Sequence, residues 1–207
     1  MKPEEIDSAI RAWGAKTNDP YEKGLAALYT RNYPEAIRQL AKSVEEQKEE
    51  LRKSQKELAD AYYSLGRSLY KHGSYREAAN AFQEAALLRP DNSLILNELG
   101  LAQHSAGEYS QAEASYKSAL MIDEKLLGPT HSSIAVTLNN LASLYSDQGR
   151  YTEAELLYKR TLAILEKNLG RNHHDVEVLL ENYASLLRKM NRTTEASQIE
   201  GRARRRS

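Results

Sequence analysis

The chain has 207 residues, 41% of them hydrophobic and 28% charged, enough to bury a sizeable core and too apolar for a disordered polymer. Lysine plus arginine balances aspartate plus glutamate, 29 against 29, so no global field draws it to nucleic acid or an anionic membrane. The absence of cysteine excludes disulfides, a thiol nucleophile and thiolate metal sites; no apolar run approaches membrane-spanning length and no signal peptide follows Met1, which points to a cytoplasmic protein without membrane insertion.

In chain order, residues 1–17 hold a short amphipathic segment with Ile6, Ala9, Ile10 and Trp13 on one face, expected as a capping helix or half repeat that shields the first hairpin. From residue 18 to 203 a pattern recurs. It reads Gly66, Gly73, Tyr75, Ala78, Phe82, Ala85, then Gly100, Gly107, Tyr109, Ala112, Tyr116, Ala119, then Ala142, Gly149, Tyr151, Ala154, Tyr158, Thr161. Fainter copies centre on Ala36 and Ala196. Self-similarity on this scale predicts an all-α, right-handed superhelical solenoid of about five helix-turn-helix hairpins, at 18–53, 59–92, 93–128, 135–169 and 177–203.

Within the second unit, Tyr62, Leu65, Gly66 and Leu69 follow i, i+3, i+4, i+7 and predict the inward stripe of a first helix, with Ala78, Phe82 and Ala85 on a second. His72-Gly73-Ser74 is the turn between them. Small residues at the first-helix position (Gly24, Gly66, Gly100, Ala142, Ala184) and at the second (Ala36, Ala78, Ala112, Ala154, Ala196) let two axes approach, with a large ring filling the wedge. Leu126-Leu127-Gly128-Pro129 and Leu169-Gly170 predict extended second helices ended by glycine. Between Ala36 and Gly66 there is neither Gly nor Pro, and a single helix of roughly 30 residues is one possibility. A break near Ser54 is preferred, because Ser54-Gln-Lys-Glu57 spells a capping box. The basic stretch from Gly201 to Ser207, with a tail at 204–207, is expected to fray and solubilise.

These residues resemble the tetratricopeptide repeat, and the 42-residue units resemble its kinesin light chain variety through Val136–Tyr145, Gln148–Glu155 and Leu157–Arg160; Glu181–Met190 is similar to the closing repeat of bacterial members. The resemblance covers about residues 18 to 203 and is specific for fold. It implies a scaffold or adaptor for protein binding, without catalysis or cofactor, whose first helices line a concave groove and grip an extended peptide.

Helical geometry independently nominates the flank beside the inward stripe: Tyr63, Arg67 and Tyr70, then Asn97, Leu101 and His104, then Asn139, Ser143 and Ser146, then Glu181, Ser185 and Arg188. Asn97 and Asn139 suit backbone recognition because an amide both donates and accepts, and the resemblance implies that role for them; in the last unit Glu181 stands there with Asn182 one step on. Arg67, Lys71, Arg188 and Lys189 suggest an acidic peptide, although Asp60, Glu98, Asp147 and Glu181 lie close by and leave the sign open. The full Lys and Asn set with which the family clamps a terminal carboxylate is absent. His131, His173 and Asp175 are weighed as zinc ligands and set aside, since the histidines belong to the ordinary repeat wording. The expected protein is a monomer that binds a protein or peptide partner; the alternative is a structural module that self-associates through its terminal helices.

Overall fold

The computed structural model describes residues 2–204, and among these every regular element is a helix. The ten helices are α1 (Pro3–Lys16), α2 (Pro20–Tyr29), α3 (Tyr33–His72), α4 (Tyr75–Leu88), α5 (Ser93–Ser105), α6 (Tyr109–Leu127), α7 (Ile134–Asp147), α8 (Tyr151–Leu169), α9 (His174–Lys189) and α10 (Thr193–Arg204). None is long and apolar enough to cross a membrane. The chain divides into two compact units, residues 1–57 and 58–207.

The preferred break at Ser54 does not occur, for α3 runs unbroken through 40 residues. At the positions where the third and fourth repeats place Gly128-Pro129 and Gly170-Arg171, this repeat carries Arg52-Lys53, which continue a helix instead of ending it. Between them Lys42 pairs with Glu46, Lys48 with Glu45 and Arg52 with Glu49, all at helix-compatible spacing. Good helix formers with such pairs outweigh one capping signal.

In the first unit, α1 rests on α2 so closely that a Cβ on Gly14 would lie 2.5 Å from that of Ala26. The expected shielding is incomplete: no residue of α1 is buried, and Ile6 and Trp13 remain exposed. The N-cap of α2 is Asp19, whose Oδ1 accepts from the Tyr21 amide at 2.9 Å. The core here is built of small residues, Ala26, Ala27 and Ala36, while Ile37, Val44 and Leu51, spaced by seven, stay exposed along α3.

The second unit carries the larger core. Gly66 and Gly100 do what their spacing predicts: a Cβ on Gly66 would sit 2.8 Å from the Phe82 ring and one on Gly100 2.7 Å from the Tyr116 ring. Both rings are fully buried. The hairpin turns need left-handed backbone, supplied by Gly73, Gly107 and Gly149, and by Arg31 and Asn191 in the first and last hairpins. Leu65 departs from expectation. It is half exposed and, with Tyr62 and Leu69, lines a surface cavity of about 310 Å³ whose other wall is α4. At the end of the chain Arg202 is docked on Glu166 instead of fraying, α10 is helical to Arg204, and residues 205–207 of the expected basic tail lie outside the described residues.

Candidate binding face

The first helices α5, α7 and α9 contact one another in sequence, α5 with α7 and α7 with α9. Their alignment is fixed by a repeated bond. Asn140 donates its Nδ2 to Oδ1 of Asn97 at 3.1 Å, and 42 residues later Asn182 donates to Asn139, also at 3.1 Å. Of the nominated asparagines, Asn97 and Asn139 are therefore acceptors and Asn182 a donor in a ladder between repeats. The structure corrects the exposed placement of Asn97, which is only 5% exposed, whereas Asn139 and Asn182 are half-buried. Sequence reading took Asn97 and Asn139 singly; the signal it passed over is the second asparagine, Asn140, at the position that recurs as Asn182.

The other nominated residues divide. Arg67, Ser185 and Arg188 are exposed; Tyr63, Tyr70, Leu101, His104 and Ser143 are half-buried; Ser146 is buried. Several are spent on internal bonds. Lys189 donates to Ser146 Oγ at 3.2 Å and to Asp147 Oδ1 at 2.8 Å, while His104 Nε2 lies 3.0 Å from the other Asp147 oxygen. Partial burial works against the Asp147 charge, but Lys189 and His104 hold its carboxyl below the usual range. Arg188 pairs with Glu200, and Tyr70 shares a hydrogen bond of 3.1 Å with Ser105. Two of the four basic side chains expected to attract acid are thus already neutralised.

One feature of this face escaped the sequence reading. Leu94, Val136 and Val178 occupy the same position in successive first helices and are 55%, 60% and 40% exposed. Apolar residues held in register on a polar flank are its sequence signal. Val136 and Val178 border a groove of about 460 Å³ between α7, α8 and α9, walled by Asn139, Leu165, Leu169 and His174. At its rim, Nδ1 of His173 accepts from the Asp175 amide and Nδ1 of His131 accepts from the Ser133 amide, each at 3.2 Å. His173 thereby caps α9, His131 holds the loop before α7, and the described residues hold no group of three or more metal-ligating side chains.

Behind the face, a second repeated network ties α6 and α8 each to the following hairpin. Glu113 accepts from Tyr145 at 2.9 Å and Arg150 at 2.6 Å and pairs with Lys117; Glu155 does the same with Tyr183 at 3.0 Å, Arg192 at 2.6 Å and Lys159. Burial opposes the Glu113 charge, yet its three donors bring it down to about 2; at Glu155 the Arg192 bond leads and the carboxyl likewise falls to about 2. Further along, Glu124 meets Arg160 at 2.5 Å and Glu166 meets Arg202.

Models of the tetratricopeptide repeat match residues 21–68, 59–92, 91–167 and 133–207, more than half of the chain. The chain belongs to the tetratricopeptide repeat family. Among solved structures, this repeat protein is similar to BtubC (BKLC) from P. vanneervenii, with 20% identity and a TM-score of 0.65 over 98% of this chain and 89% of that one. It is also similar to the nearly identical TPR-like repeats of a putative kinesin light chain from Podosopora anserina, with 20% identity and a TM-score of 0.64 over 96% and 94%. The first TPR of Spaghetti (RPAP3), solved bound to the HSP90 peptide SRMEEVD, aligns at 15% identity and a TM-score of 0.52 over 66% of this chain and 95% of that one. At such identities the likeness is one of fold, the α-solenoid of paired helices. No curated protein matches the chain in sequence.

Proposed function

We propose that this repeat protein is a non-catalytic interaction module that seats an extended segment or helix of a partner protein across the face shared by α5, α7 and α9. The observation that carries the reading is the exposed apolar row Leu94, Val136 and Val178 beside the groove of about 460 Å³. Removing apolar side chains from water is favourable, and grouped exposed ones mark surfaces that a partner covers. The Asn ladder supports the same reading, because a face whose helices are already locked loses little freedom on binding, so the partner bears the ordering cost. A repeat of this fold bound to a peptide, the first TPR of Spaghetti, gives precedent for the mode.

The test is a peptide array probed with the wild type, Val136→Asp and Val178→Asp. Both valines are solvent-exposed, so the variants keep wild-type circular dichroism and melting temperature; binding of array hits drops at least tenfold. Equal binding by both variants moves the site off this face.

A second reading is self-association through the first unit, favoured by the exposed Ile6, Trp13, Ile37, Val44 and Leu51. Light scattering across a dilution series separates the two: a groove binder stays monomeric without its partner, and a self-associating module does not.

A further inference from the structure

The Asn ladder stops at the junction between α3 and α5. Register places Glu98 where Asn140 and Asn182 stand in the next two repeats, and Tyr63 where Asn97 and Asn139 stand. A carboxylate cannot donate to a tyrosine as one amide donates to another, and among the described residues Glu98 makes no hydrogen bond and no ion pair, though it is half-buried. Glu98 and Tyr63 feel each other directly, since the Glu98 charge helps push the Tyr63 hydroxyl up, after burial.

Around it the polar groups are unsatisfied in a consistent way. The Tyr116 side chain is fully buried and its hydroxyl has no partner among the described residues; burial and the neighbouring Tyr70 and Glu98 push it up. Burial also pushes the Glu98 carboxyl up, and the one cation that opposes this, Arg67, forms no ion pair with it. Arg67 instead lies over the Tyr63 ring at 5.9 Å and is exposed, so it keeps its water. The group left short of a counter-charge is the carboxylate. The accessible surface beside it includes the half-buried Tyr63 ring, and tyrosine rings attract cations through their negative faces.

We infer that this end of the binding face takes a cationic side chain of the partner, a lysine or arginine, against the Glu98 carboxylate beside Tyr63. The inference rests on the groove reading above and adds the chemistry of the ligand: an apolar residue at the α7–α9 groove and a basic residue toward α3. A partner's ammonium or guanidinium meets a charge that the fold has partly desolvated and left unpaired. An acidic residue at the same place would set two carboxylates together in a half-buried site. Departure from the repeat's own amide pair is what separates this junction from the next two.

Two measurements test it. First, array hits are resynthesised with each Lys or Arg replaced by norleucine and bound to wild type and Glu98→Gln. We expect one basic position whose replacement weakens wild-type binding about tenfold and leaves Glu98→Gln binding unchanged, the signature of coupling between that side chain and Glu98. Equal losses in both proteins, or hits that hold no basic residue while still depending on Val136, overturn the inference and leave the groove reading standing. Second, the ¹³Cδ shift of Glu98 is followed against pH with and without N-acetyl-arginine amide, which needs no array hit. A bound guanidinium lowers the Glu98 midpoint from its raised value. A midpoint that does not move, or that moves equally with N-acetyl-norleucine amide, also overturns it.

Discussion

Two helical glycines in this chain face opposite surroundings, and the same substitution should have opposite signs at them. In Gly100→Ala the new Cβ would lie 2.7 Å, 2.8 Å and 3.1 Å from three atoms of the Tyr116 ring. Carbon atoms rest about 3.5–4.0 Å apart, so the ring must retreat by nearly an ångström, and it is 0% exposed with nowhere to go. Overpacking of this kind costs about 1–3 kcal/mol, against which alanine recovers about 1 kcal/mol of helix propensity. A net loss of about 1–2 kcal/mol follows from these two terms. Gly201→Ala, in α10, meets nothing within 4 Å and should gain about 0.5–1 kcal/mol. Thermal melts by circular dichroism read the difference, at about 2–4 °C per kcal/mol for a chain of this size. If Gly100→Ala melts at or above the wild-type temperature while Gly201→Ala rises, the close approach of α5 to the Tyr116 ring is not what selects glycine.

Acid should destabilise the second unit through two of its carboxylates. Glu113 and Glu155 have carboxyls lowered to about 2, so the unfolded chain binds more protons than the folded one between that value and the ordinary carboxylate range. Their stabilisation is complete above about pH 5 and is lost as pH falls toward 2, and Glu155→Gln should flatten the slope of stability against pH in urea melts. At the turns, Arg31→Gly should raise the melting temperature, because a non-glycine residue at φ 57° costs about 1 kcal/mol. Asn191→Gly should help less, since asparagine tolerates this region. Amide exchange by mass spectrometry should be fastest, within helices, over residues 45–57 of α3, where every side chain is exposed and only local helix formation protects the backbone. Protection there equal to that of α7 would show the segment covered.

The fold was legible because its determinants are local and repeated. Glycine against ring, alanine against alanine and glycine at turns each depend on spacing along one hairpin, and Gly66 with Phe82 and Gly100 with Tyr116 meet as their offsets require. The Ser54 capping box misled because a cap competes with continuation: Arg52 and Lys53, where later repeats have Gly128-Pro129 and Gly170-Arg171, left no glycine to stop the helix. The binding face was legible only in outline. Its helices and flank follow from periodicity, but whether Asn97 points to a ligand or to Asn140 is decided by the neighbouring repeat, which a single helix wheel does not contain. The same holds for Arg188 and Lys189, whose partners Glu200 and Asp147 come from other helices.

Tyr145 and Tyr183 reach equivalent glutamates from different rungs. Glu113 and Glu155 are 42 residues apart, as are Arg150 and Arg192, yet the tyrosines are only 38 apart, with leucine and tyrosine exchanged between Leu141 and Tyr145 on one helix and Tyr183 and Leu187 on the other. A column-by-column comparison of the two units scores this as a pair of mismatches, although the phenol lands on the same oxygen. Divergence among duplicated segments is thus constrained here by which atoms meet, with the ancestry of each column free to drift by one turn.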